Sequence, residues 1–259
     1  ESKVPCLGIE PTKSTYLKSL ELNIPTLNDF FNTDLTNKII SKYRKADLII
    51  ANNVYAHVPD INDFTRGLKA ALKPGGTITL EFPHLMQLLE NTQFDTVYHE
   101  HFSYLSLYTV SRIFEVAGLR LYNVEQLSTH GGSLRVYGCH ADDLRQTDPS
   151  VSALRAEEAQ RSLQSMDVYM GFQIKANQVK DDLLSFLLEQ KRAGKRVAAY
   201  GAAAKGNTLL NYAGVKSDLL PFVCDAAPTK QGKFMPGSHI PILDQGVNAI
   251  PRLECLLQR

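Results

Sequence analysis

The chain has 259 residues, with 28 Lys or Arg against 27 Asp or Glu, and a formal net charge of +1. At about 150 residues per domain this length suits one large domain or two modest ones. The composition, 44% hydrophobic and 21% charged, is that of a globular chain and excludes general disorder. So balanced a charge argues against a nucleic-acid partner, which would call for a basic excess. No apolar run approaches the ~18 residues of a membrane span, so no membrane partner is expected. The opening segment ESKVPCLGIEP has no basic-then-apolar signal pattern. The four cysteines, Cys6, Cys139, Cys224 and Cys255, are far apart and form no CxxC pair. That spacing excludes a zinc ribbon within the chain and suits reduced thiols, so a cytoplasmic location is expected.

Residues 1–140 alternate short β-type runs with helical stretches, the pattern of a parallel α/β sheet. CLGIEP (6–11) is a short apolar run ending in an acid, and a helical stretch follows to about Leu22. A second short run covers Ile24–Leu27. ADLIIANN (46–53) is apolar on consecutive residues, which predicts a strand covered on both faces. DINDFTRGLKAAL has helical spacing, starts at a capping Asp60 and stops at Lys73-Pro74-Gly75-Gly76, where TITLEFP begins as a strand. LRLYNVEQL and SLRVYGCH, separated by STHGG, read as an antiparallel pair at a sheet edge. Leu163, Met166, Met170, Ile174, Val179, Leu183 and Leu187 then form a helical stripe, expected to pack in a core or between domains. After Gly194 a second α/β unit is expected: KRVAAYG as strand, NTLLNYAGV as helix and LLPFVCD as strand.

Several residues carry chemistry. Glu10 closes the first strand, where an acid can accept hydrogen bonds from ribose hydroxyls; a surface acid before a proline turn is the other reading. Asn52 and Asn53, at the end of ADLIIANN, offer both donors and acceptors, as the amino-acid tail of a cofactor requires. His57 lies just beyond, at the carboxyl edge of a parallel sheet where open α/β folds bind ligands. The densest cluster is Tyr98-His99-Glu100-His101. His99 and His101 are two apart and could ligate a metal on a strand, but no third ligand has helpful local spacing. Acid–base chemistry fits better, since imidazole titrates near neutrality and an adjoining carboxylate can orient it. Tyr200 to Thr208 nearly spells the phosphate loop GxxxxGK[ST], with Asn207 at the lysine position. Losing that cation argues against nucleotide hydrolysis, while a pyrophosphate could still be cradled by Gly201, Ala203, Lys205, Gly206 and Asn207.

Taken together, NNVYAHVPD, KPGGTITLEFP, YHEHFSYLSL, HGGSLRVY, YGAAAKGNTLLNY and KQGKFMPGSHIPI resemble, in order, the motifs of S-adenosylmethionine-dependent sugar C-methyltransferases of deoxysugar biosynthesis. The resemblance covers nearly the whole chain. It implies an α/β fold: an incomplete class I methyltransferase-type doubly wound sheet over 1–140, a helical linker over 141–193, and a smaller, incomplete Rossmann-like unit over 194–259. It implies that His101 is a base, that Glu100 and Tyr98 hold the sugar, and that His57 faces the same site. Glu10 would hold the ribose of S-adenosylmethionine, and the second unit would bind the diphosphate of a nucleotide-sugar substrate. No metal is implied for these residues. The family's N-terminal cysteine-rich module, first strand and Gly-rich cofactor loop have no counterpart in the chain, and its end falls short of the family's usual final strand. A chain cut at both ends is therefore expected, with a gap between the strands at Leu7–Glu10 and Leu48–Ala51. Two other functions stay open: a nucleotide-sugar-binding fragment without turnover, and a metal-dependent hydrolase.

Overall fold

The computed structural model of the protein describes residues 4–244, 246 and 255–258, the last four by backbone alone. The chain forms two compact units that interleave along the sequence: Glu1–Leu85 with Phe102–Arg161, and Met86–His101 with Ser162–Arg259. The division read from the sequence follows the chain linearly, whereas here a short internal segment, 86–101, joins the C-terminal unit.

In the first unit, β1 (Gly8–Ile9), α1 (Lys13–Glu21) and β2 (Thr26–Leu27) make a two-stranded parallel sheet with its crossover helix. α2 (Thr33–Lys42) follows, capped by Asn32, and then β3 (Ala46–Asn52). α3 (Ile61–Ala71) starts as expected at Asp60, whose carboxylate accepts from Asp63 N at 2.8 Å. β4 (Leu72–Pro83) is longer than TITLEFP: it pairs from Leu72 and shifts register opposite Ala46–Leu48, with Gly75 in the left-handed region at φ 76°. α4 (Leu85–Glu90) leaves the unit, and α5 (Leu107–Val116) returns to it. β5 (Leu119–Leu127) and β6 (Ser133–His140) form the expected antiparallel pair, and α6 (Pro149–Gln160) follows.

The larger sheet has the order β3-β4-β6-β5, with β3 and β4 parallel and β6 antiparallel to both its neighbours. Ile78, Leu80 and Phe82 of β4, Leu134 and Val136 of β6, and Val110 and Phe114 of α5 are buried. The rings of Phe64, Phe82 and Phe114 lie 5.8, 6.2 and 6.5 Å from the fully buried ring of Tyr55. One expectation fails at β3. Leu48 and Ile50 are 52% and 62% exposed, because β3 is the edge strand of this sheet and only its opposite face is packed. The two sheets share no hydrogen-bonded strand pair among the described residues, so β1 and β3 are not hydrogen-bonded neighbours.

The second unit contains the 3-10 turn Phe94–Thr96, α7 (Asp167–Met170), α8 (Phe172–Arg192), β7 (Val197–Tyr200), α9 (Ala204–Tyr212), β8 (Val223–Asp225), β9 (Ile242–Asp244) and β10 (Cys255–Gln258). Its four strands are all parallel, in the order β10-β7-β8-β9, around a core of Leu187, Val197, Leu210, Val215, Val223 and Ile240. The strands β9 and β10 carry no signal that the sequence reading used. β10 falls within IPRLECLLQR; the rest of that segment lies outside the described residues, as does the Cys255 side chain. The helical stripe is also divided. Leu183 and Leu187 pack in this core, but Met166, Met170 and Ile174 are at least 70% exposed, on a stretch broken at Gly171 into separate helices. No helix among the described residues is long and apolar enough to cross a membrane.

Candidate active site

The carboxyl ends of β1 and β3 bear the residues expected to hold a cofactor. Glu10 follows β1, half-buried; its backbone N–H donates to Leu27 O at 3.0 Å, and Thr12 N donates to its Oε1 at 2.7 Å. Asn52 ends β3 opposite Glu81 of β4, and Asn53 N donates to Glu81 O at 2.8 Å. Asn53 sits at φ 55°, a left-handed turn that Asn tolerates better than most residues. Its turn aims the chain into a single 3-10 turn, Tyr55–His57. The Tyr55 hydroxyl is 2.6 Å from Thr65 Oγ1, and burial pushes its ionisation far above the usual tyrosine range. Tyr55 thus anchors the segment that presents His57, half-buried, at the sheet edge. A carboxylate and two amides at the ends of parallel strands suit ribose hydroxyls and an amino-acid tail, so the donor set fits S-adenosylmethionine. Glu81, unmarked in the sequence reading, is buried beside them. It pairs with Arg135 at 3.0 Å and accepts from Thr129 Oγ1 at 3.1 Å, a cross-strand pairing that only strand register reveals.

In the second unit the turn that precedes the Tyr98–His101 cluster packs on the helix that follows the glycine-rich loop. The turn at Phe94–Thr96 packs on α9, with the Phe94 and Tyr212 rings 5.0 Å apart. The residues Tyr98, Glu100 and His101 follow that turn, and Gly201 to Asn207 lead into the same helix. His101 Nδ1 lies 2.9 Å from Thr96 O. A carbonyl can only accept, so Nδ1 carries the proton and the imidazole lone pair is on Nε2. The Tyr98 ring packs edge-on to the His101 ring at 4.7 Å. Burial, then the charges of Glu100 and Asp95, raise the Tyr98 ionisation above its ordinary value, so its hydroxyl remains a donor at neutral pH. Tyr98 is half-buried; Glu100 is exposed and His101 partly so. This arrangement can take a proton at Nε2 and donate one hydrogen bond from a phenol. Thr96 was missed because its part is played by a backbone carbonyl.

The Gly201–Asn207 loop joins β7 to α9 at the point where the strand order turns from β8 to β10, the switch point where ligands bind in such sheets. Gly201 takes φ 98°, and its N–H donates to Cys224 O at 2.7 Å. Asp225, at the end of β8, supports the loop from beneath. It accepts from Ala202 N at 2.7 Å, Ala227 N at 2.8 Å and Lys230 Nζ at 3.1 Å. The amides, first that of Ala227, hold its carboxyl below the usual value. Lys230 Nζ also donates to Ala202 O at 2.9 Å, which brings a cation to the loop that has Asn207 in place of lysine. The sequence reading placed a strand at LLPFVCD but marked neither Asp225 nor its partner Lys230. Asn207 Oδ1 is buried without a partner. Among the described residues no group of three or more His, Cys, Asp or Glu is placed to hold a metal ion.

Comparison with known proteins assigns the chain to a family. Residues 5–124 match the family described as methyltransferase domain, and residues 128–251 the one described as C-methyltransferase C-terminal domain. The chain is 33% identical over 253 residues to the C-methyltransferase NovU of Streptomyces niveus, covering 97% of this chain and 60% of that protein. The chain thus spans about 60% of the length of the curated relative it matches. Among solved structures, an S-adenosylmethionine-dependent methyltransferase from Anabaena variabilis is similar at TM-score 0.41 and 13% identity, over 52% of this chain and 67% of that one. A possible histamine N-methyltransferase from Thermotoga maritima is similar at TM-score 0.40 and 14% identity, over 52% and 72%. At those scores the assignment rests on the sequence matches. By both halves of its length, the chain belongs to the family of S-adenosylmethionine-dependent C-methyltransferases.

Proposed function

We propose that the protein methylates carbon, using a 4-keto nucleotide sugar as substrate and S-adenosylmethionine as methyl donor, in the cytoplasm. Alkylating carbon needs a carbanion equivalent, and the C3 proton beside a C4 ketone is acidic enough for an enzymic base. His101 takes that proton at Nε2, while its Nδ1–H stays on the Thr96 carbonyl. A donor, Tyr98 or His57, hydrogen-bonds the enolate oxygen as charge develops there. Tyr98 and Glu100 hold the sugar. The diphosphate rests on the Gly201–Asn207 loop, held by its backbone amides, by Lys205 and by the start of α9. Glu10, Asn52 and Asn53 hold the cofactor. When bound, S-adenosylmethionine supplies an electrophilic methyl on sulfur, and the alignment of that carbon with C3 provides much of the rate.

The observation that supports this reading is the contact of His101 Nδ1 with the Thr96 carbonyl, which leaves Nε2 as the nitrogen to accept a proton, with the Tyr98 ring edge-on to the same imidazole. Its test is transfer of an isotope-labelled methyl from S-adenosylmethionine to a 4-keto nucleotide sugar, followed by NMR. Label at C3 is the expected result. Label on oxygen would overturn the reading, and so would sugar binding without any transfer.

A further inference from the structure

Glu158 of α6 is fully buried and has no part in the mechanism above. Its carboxylate gathers three N–H donors, all within the first unit. His84 Nε2 lies 2.8 Å and Leu107 N 2.6 Å from Oε1, and Tyr108 N lies 2.9 Å from Oε2. Leu107 and Tyr108 open α5, where the capping Ser106 Oγ accepts from Thr109 N at 3.1 Å and lies 3.0 Å from Thr109 Oγ1, so it reaches neither of their amides. The carboxylate therefore completes the cap of α5, and its charge lies at the positive end of that helix. His84 directly follows β4. Its own N–H donates to Gly132 O at 3.0 Å, and Leu85 N donates to Leu105 O at 2.9 Å. His84 Nδ1 is buried without a partner, so the Nε2 contact to Glu158 is what the ring's polar edge serves.

These two anchor points flank a single excursion, with Leu107–Tyr108 a few residues past its return. The chain leaves the first unit after Leu85, passes through Tyr98, Glu100 and His101, and returns at Phe102. Resting on the proton-abstraction reading above, we propose that Glu158 is a positioning residue for the 86–101 segment. One carboxylate clamps the segment's departure at His84 and its return at Leu107–Tyr108, and it acts on catalysis through His101. An ionised carboxylate suits this task, because it only accepts, and all three groups aimed at it donate. The amide of a glutamine would turn a donor toward one of the anchors, leaving that side unsatisfied in a dry site.

The test combines backbone hydrogen exchange with kinetics on the full-length enzyme. In Glu158→Gln the amides of residues 85–108 should exchange at least about tenfold faster, with β4 and β6 unchanged. Its kcat should fall by about 10²-fold, the order expected for a misplaced reacting group, at unchanged KM for S-adenosylmethionine. Should Glu158→Gln fail to fold, His84→Leu releases only the departure anchor, leaves both α5 amides capped, and is read the same way. Exchange that rises equally across the sheet would show a merely structural role and overturn the proposal. So would unchanged exchange at 85–108, or a loosened segment with unaltered kcat. If the wild-type enzyme transfers no methyl to a keto sugar, the functional reading falls, while the exchange pattern alone still decides whether Glu158 clamps the segment.

Discussion

Thr96 and His101 set the chemistry of the candidate site at the scale of single residues. The carbonyl fixes one imidazole nitrogen as donor, so on the proposed function the other acts as the base, and Tyr98 lies against the same ring with its hydroxyl kept protonated by burial and by Glu100. Tyr98→Phe keeps the ring contact and deletes the donor. If Tyr98 bonds the enolate, kcat should drop by roughly 10²- to 10³-fold, as for loss of one oxyanion donor. An unaltered kcat in steady-state assays would move that role to His57. The sequence made the cluster visible, through two histidines, an acid and a tyrosine within four positions. It could not show which histidine is oriented, because the orienting group is a backbone carbonyl whose position depends on the turn at Phe94–Thr96.

Among the elements, β6 and α5 meet too closely for any side chain at Gly138. A Cβ there would lie 2.4 Å from Phe114 Cε1, within the ring cluster around Tyr55. Gly138→Ala should therefore destabilise the first unit by about 1–3 kcal/mol, the usual range for overpacking, as denaturant titration would measure. At the loop after β7, Asp225 is held ionised by two backbone amides and Lys230. Its folded pKa is depressed, so its contribution to stability is complete above the unfolded value of about 3.9 and is lost as pH falls through the folded one. Thermal melts from pH 6 to pH 3 should show wild type losing its advantage over Asp225→Asn as the solution is acidified. A difference constant with pH would contradict that. The helix α3 and the β5–β6 pair were legible because cap, spacing and turn agree locally. The exposure of Leu48 and Ile50 was not, since an apolar run says nothing about whether its strand lies at an edge.

For the whole molecule, the departure from the sequence reading is the interleaving of the two units. Local periodicity locates strands and helices, but the pairing of Phe94 with Tyr212 joins segments far apart in the chain and leaves no periodic trace. The motifs themselves were legible, while the packing of the Phe94–Thr96 turn on α9 was not. On the proposed function the diphosphate contacts fall within one unit, whereas Glu10 and Asn52–Asn53 sit on two sheets with no strand pair between them among the described residues. The chain should therefore bind dTDP more tightly than S-adenosylhomocysteine, because only the first site is preorganised. Calorimetry on one sample would show it, and micromolar S-adenosylhomocysteine binding without detectable dTDP binding would contradict it.

Proton abstraction by His101 is the step on which the functional account turns, and it can be followed without the methyl donor. In deuterium oxide the wild-type enzyme should exchange the C3 proton of a 4-keto nucleotide sugar, as read by mass spectrometry. His101→Gln keeps a polar side chain at the same position and removes the base. Its exchange rate should fall by about 10² to 10⁴. Exchange at the wild-type rate in His101→Gln would contradict the account.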